Sequence, residues 1–228
     1  MMIRTLLTAA LIWVAGPLSA ATLTIGTPDR FGFNAFPFSP NPGNDRFQQV
    51  WDASNFANLG QIKITSISFD MRASDINGPL GTFDMSFSTT DAEVNALNTD
   101  QTVAGFNSNL GTDNALFASN AYDGSPIMSG VLKFSGSYIY DPANGNLLMD
   151  IMVSDVARFY FGPAIASTSN SGGLFSRSQN YGSGFENYGA IATFEYEELT
   201  PVPLPASALL LLAGLAGLGV VRHRKATA

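Results

Sequence analysis

Residues 61–72 read QIKITSISFDMR, and the spacing of their apolar side chains decides the architecture. Ile62 and Ile64 alternate with polar neighbours; Ile67, Phe69 and Met71 then alternate in the opposite phase, so the pattern slips once, at Thr65-Ser66. A period of two sets one face of a strand on a core and the other in water, and a one-residue slip marks a β-bulge or two abutting strands. Residues 81–88 (GTFDMSFS) repeat the pattern without a slip, with Phe83, Met85 and Phe87 opposed to Thr82, Asp84 and Ser86.

Working outward, residues 147–153 (LLMDIMV) are apolar nearly throughout and read as a central strand interrupted by Asp150. The preceding DPANGN (141–146) has Pro to set one turn position and Asn-Gly to supply positive φ, which predicts a hairpin between 137–140 and 147–153. Residues 131–134, 158–161 and 190–197 complete the predicted strands. Only 90–97 looks helical, with Thr90 and Glu93 at capping-box spacing. Short strands separated by Gly, Asn, Asp and Ser predict an all-β fold, an antiparallel β-sandwich of jelly-roll-like kind with one short helix. No Pro-rich or charged linker interrupts residues 22–200, which therefore read as one domain.

The two ends have a different character. Arg4, the apolar run 6–14 (LLTAALIWV) and the helix break at Gly16-Pro17 make residues 1–21 a secretory signal peptide, with signal peptidase cutting after Ala20 or Ala21. At the other end, TPVPLPA (200–206) leads into the apolar stretch 206–221 and then Arg222, Arg224 and Lys225. Sixteen residues of helix span about 24 Å, slightly less than a bilayer core, and a basic cluster is held on the cytoplasmic side. The predicted topology places the body outside the inner membrane and the tail inside.

Val202-Pro203-Leu204-Pro205-Ala206, the short Leu/Ala/Gly helix and the terminal basic cluster resemble the VPLPA variant of the PEP-CTERM sorting signal of exported Gram-negative bacterial proteins. Residues 201–228 carry the resemblance, with Leu204 where the commoner motif has Glu. It implies an exosortase as partner, a membrane protease or transpeptidase that recognises the motif and passes the protein to the cell surface or extracellular matrix. Residues 46–56, 64–69 and 140–151 are also similar to stretches of exported PEP-CTERM proteins, which implies a recurring β-sandwich and no particular chemistry.

Composition narrows the chemistry. Among 228 residues there is no Cys and one His, His223, in the basic tail. Disulfides, thiol nucleophiles, His-containing triads and His- or Cys-ligated zinc are therefore excluded from the body. The net charge of −7 argues against nucleic-acid partners, which need a basic stripe. Hydrolysis by a carboxylate pair needs two acids about 5–10 Å apart. Asp150 is the acid that burial would push upward; the alternatives are that it faces solvent at an edge or accepts from a backbone amide. The body reads as non-enzymatic, and no catalytic residue is assigned.

All 18 acidic residues but only seven of the 11 basic ones lie in the body, since Arg4, Arg222, Arg224 and Lys225 belong to the ends, which leaves it at −11. Such a charge suits Ca2+ held by Asp29, Asp45, Asp52 and Asp123 in Asn/Gly/Pro-rich loops, or a solvated acidic surface that keeps the protein soluble. Phe31, Phe33, Phe36 and Phe38 (FGFNAFPF, 31–38) form either an edge strand closing the sandwich or an exposed patch. The primary expectation is a surface or matrix protein sorted through its C-terminus. The alternative is a lectin-like carbohydrate-binding module in the exopolysaccharide, with or without Ca2+.

Overall fold

The period-two stretches become strands of two antiparallel sheets packed face to face. The computed structural model describes residues 20–27, 32–39, 45–75, 77–156, 161–180 and 187–199. One sheet has the order β1 (Ala21–Ile25), β12 (Ala192–Glu198), β4 (Ile62–Asp70), β7 (Val131–Tyr140). The second runs β10 (Phe175–Gln179), β3 (Arg46–Trp51), β8 (Asn146–Ser154), β5 (Leu80–Thr90), β6 (Ala115–Asp123). A small third sheet joins β11 (Gly189–Ala190), β9 (Ile165–Thr168) and β2 (Phe33–Asn34). With β10 set aside, the eight strands of the two large sheets run first, last, third, sixth in one and second, seventh, fourth, fifth in the other. This is the interleaving expected of a jelly-roll-like sandwich.

The inner faces carry the alternation read from the sequence. Phe83, Met85 and Phe87 of β5 are fully buried, as are Ile62, Ile64 and Ile67 of β4. Aromatic rings bridge the two layers: Trp51 meets Phe194 edge-on at 5.1 Å, and Phe87 packs 5.7 Å from Tyr138. The slip at Thr65 is a bulge in one continuous strand. Ile64 and Ser66 are opposed to Tyr196 and Glu195, which leaves Thr65 as the extra residue, its hydroxyl donating to the Glu195 carbonyl at 3.2 Å.

Register also fixes the two ends of the sandwich. Ala21 is opposite Tyr196, and Glu198 is opposite Ile62, which is opposite Tyr140. The points where the chain enters and leaves the body therefore lie at one end, beside the turn after Tyr140. Asp70 and Val131 mark the opposite end, about 30 Å away along the nine residues of β4.

Several expectations are corrected. The turn at 141–146 does not make a hairpin: β7 pairs with β4, whereas β8 lies between β3 and β5 in the other sheet. Tyr138 and Tyr140 on one side and Leu147 and Met149 on the other all point into one core, so the turn carries the chain from sheet to sheet. A single-turn 3-10 segment (Pro142–Asn144) makes the crossing, capped by Asp141, which accepts from the Ala143 amide at 3.0 Å. The strands expected at 131–134 and 137–140 are one strand, β7.

Residues 90–97 are not a helix. Thr90 ends β5, its hydroxyl donates to the Asn109 carbonyl at 2.6 Å, and Asn95 has a positive φ of 67°. The helix is α1 (Val103–Asn107), capped by Thr102 through a bond from the Gly105 amide. The Phe-rich stretch 31–38 forms neither one edge strand of the sandwich nor one exposed patch, since only Phe33–Asn34 is a strand and 36–38 is a turn. Phe38 is fully buried within 5.5–5.8 Å of Phe69, Phe83 and Phe134, while Phe33, in the two-residue β2, is 42% exposed. Phe31 and residues 158–160 lie outside the described residues, and Phe161 belongs to no strand.

Candidate functional site

Asp150 occupies the centre of the most apolar strand, on the outer face of the five-stranded sheet. It neither sits at an edge nor accepts from a backbone amide. Both its oxygens accept from Arg46, from Nε and Nη2 at 2.9 Å each, and both residues are buried. What buries them is the connection between β5 and β6. Leu97 joins Val50 and Leu148, and Arg46 lies 5.1 Å from the Phe106 ring centroid. Gln48 donates to the Phe106 carbonyl and accepts from Asn109. The polar residues of this face are thus satisfied by one another and by the segment that roofs them.

The calcium candidates do not converge. Asp52 caps a 3-10 turn by accepting from the Ser54 amide at 2.8 Å, and Asp123 accepts from the Ser125 amide at 2.9 Å. Asp45 accepts from the Asn180 side chain. Strand register places Asp52 at the end where the chain leaves the body, and Asp45 and Asp123 at the other, three strand spacings (roughly 14 Å) apart. Asp29 lies outside the described residues. Among the described residues no group of three or more His, Asp or Glu side chains is placed to hold a metal ion.

Two clefts remain. The larger, about 720 Å³, opens at the exit end between the β5–β6 connection and Asn144. Asp113 stands at its margin, accepting from the Thr89 amide and the Tyr138 hydroxyl at 2.8 Å each. Burial pushes the Asp113 carboxyl up, but these bonds outweigh it and hold it below its ordinary value. Burial, reinforced by the Asp113 hydrogen bond and charge, raises Tyr138 far above the usual phenol. The pair is therefore a carboxylate and a protonated tyrosine at neutral pH, each already satisfied by the other.

The smaller cleft, about 230 Å³, lies at the opposite end, where three segments are tied together. The Arg72 amide donates to the Ala164 carbonyl at 2.8 Å, and the Ala164 amide donates to Asp75 Oδ2 at 2.6 Å. Arg72 grips Asp75 Oδ1 through Nε and Nη2, and the Asn77 side chain donates to the Phe161 carbonyl. Gly162 packs so closely on the Phe38 carbonyl that no Cβ fits. The turn at 36–39 supplies Ser39, whose hydroxyl is buried and has no hydrogen-bond partner among the described residues. Phe161, 74% exposed, stands at the cleft wall. Sequence reading missed this site. Arg72, Asp75 and Phe161 belong to no motif and meet only through the sheet ends.

Ala20 is exposed and precedes β1, and Ala21 is the first residue of that strand. Val202, Pro203, Leu204, Pro205, Ala206, Arg222, Arg224 and Lys225 lie outside the described residues. No helix among the described residues is long and apolar enough to cross a membrane. Comparison with protein-family models, curated sequences and solved structures finds no match to this chain.

Proposed function

We propose that this is a non-enzymatic exported protein of the cell surface or extracellular matrix, sorted through residues 202–206 by an exosortase. The observation that carries the reading is the fixed order in the sequence of VPLPA, a short apolar stretch and a basic cluster, following a secretory signal at the other end. Signal peptidase removes the first segment. The second holds the body briefly on the outer side of the inner membrane before an exosortase cuts or transfers it. Prolines at 201, 203 and 205 cannot enter a helix, so they keep the recognition strip extended at the membrane face.

The fold supports this in two respects. Antiparallel pairing of β1 with β12 brings both chain exits to one end of the body, so processing at either terminus acts on the same end and leaves the rest of the sandwich untouched. Because Ala21 already pairs with Tyr196, cleavage after Ala20 leaves β1 whole, and this bond is the expected cut. The non-enzymatic reading is supported by the commitment of three acids to structural partners: Asp150 to Arg46, Asp75 to Arg72 and Ala164, Asp113 to Tyr138 and Thr89.

The test is fractionation of the native host expressing Pro203→Ala/Pro205→Ala. The double variant should accumulate as an uncut precursor in the inner membrane, while the unaltered chain leaves it. Normal release of the variant would defeat the sorting reading.

A further inference from the structure

We propose that the cleft walled by Phe161 and Arg72 binds a neutral pyranose unit of a polysaccharide. A pyranose ring presents a face of C–H bonds and a rim of hydroxyls, so its receptor needs one accessible aromatic face and, beside it, fixed donors and acceptors. Phe161 provides the face. Arg72 provides the donors: Nε and Nη2 are oriented by Asp75, and its remaining guanidinium N–H groups are left for a ligand. The Asn77 amide oxygen is an acceptor, because that side chain is oriented by donating its N–H to the Phe161 carbonyl.

Ser39 is also among the residues of the cleft, its hydroxyl buried beneath the surface and without a hydrogen-bond partner among the described residues. The volume, about 230 Å³, equals that of roughly eight waters at ~30 Å³ each, room for one sugar ring and its hydroxyls. The frame is stiff: backbone and side-chain bonds tie 72–77 to 161–164, and Gly162 is wedged on Phe38.

Charge selects a neutral ligand. The positive charge of Arg72 is matched by Asp75 at 2.7 Å, and the body carries −11, so an anionic polymer approaches against the field. Position suits a polymer: the cleft lies at the end of the sandwich remote from both chain exits, about 30 Å along β4. The binding site stands apart from the sorting reading, since it is argued from the body alone and tested on purified protein.

The experiment is native affinity electrophoresis of the full chain in detergent micelles, in gels containing dextran, xylan, galactomannan or alginate. The expected result is retardation in at least one neutral gel. Phe161→Ala, at an exposed position that leaves the core intact, should weaken it at least about tenfold, equivalent to ~1.4 kcal/mol. Phe33→Ala, an exposed aromatic outside the cleft, should bind as the unaltered chain does. Absence of retardation in every neutral gel would overturn the proposal. So would retardation by alginate alone, or a Phe161→Ala chain retarded as strongly as the parent.

Discussion

Replacing Asp150 by Asn should destabilise the body more than any other single change in charge. The perturbation leaves the volume almost unaltered and removes one thing, the negative partner of Arg46. In the folded protein Arg46 is 9% and Asp150 4% exposed, and two charge-assisted bonds at 2.9 Å join them beneath the β5–β6 connection. Without the carboxylate, the guanidinium stays buried and charged, with one neutral amide oxygen left to accept from it and the Phe106 ring centroid 5.1 Å away. Stranding a buried charge in this way costs about 3–5 kcal/mol, and a cation–π contact of this kind offsets only ~1 kcal/mol of it. With a urea slope near 2 kcal/mol/M, the net loss of about 2–4 kcal/mol should lower the unfolding midpoint by about 1–2 M with no change in slope. The double variant Arg46→Met/Asp150→Leu removes both charges and should recover most of the loss, to within about 1–2 kcal/mol of the parent. Urea titrations followed by far-UV circular dichroism measure the parent, the single variant and the double variant. A cost below about 1 kcal/mol for Asp150→Asn, or a double variant no better than the single, would refute the argument that the pair is desolvated and mutually dependent.

Other outcomes follow from burial and titration. Phe38→Ala should cost about 3–5 kcal/mol, because the ring is fully buried among Phe69, Phe83 and Phe134, whereas Phe33→Ala should stay within ~0.5 kcal/mol; thermal unfolding of both decides whether the 31–38 stretch is divided as described. Asp113 is held below its ordinary value in the folded state, so its contribution is complete above the unfolded pKa and is lost as pH falls through the folded one. The midpoint difference between the parent and Asp113→Asn should therefore be largest at neutral pH and shrink below ~pH 4; a constant difference would contradict the assigned bonds to Tyr138 and Thr89.

Most of the long strands were legible because each has one wet face and one dry face, and the polar positions report that asymmetry directly. Even the bulge at Thr65 was readable, since an inserted residue moves every later side chain to the other face. The hairpin at 141–146 was misread for a specific reason. Turn chemistry fixes how the chain reverses, but DPANGN serves equally well within a sheet and between sheets, and only the burial of Tyr140 and Leu147 in a common core separates the two. The capping-box spacing at Thr90 and Glu93 failed because the Thr90 oxygen accepts from the Ala92 amide in a local turn while its O–H donates to the Asn109 carbonyl. Asp150 stood out as an anomaly in an apolar run, yet its partner lies 104 residues away and neither position names the other.

The sequence by itself determined class and charge: an acidic body of alternating strands without His or Cys. These are properties of contiguous residues, and solvent reads them locally. Tertiary structure alone decided which residues share a site. Arg72 and Asp75 meet Phe161 only because β4 and the segment before β9 finish at the same end of the sandwich, and Asp45, Asp52 and Asp123 fail to meet because register sends them to different ends and edges. Long-range juxtaposition depends on which strands pair, and pairing is settled by burial of the whole core, which no local pattern encodes.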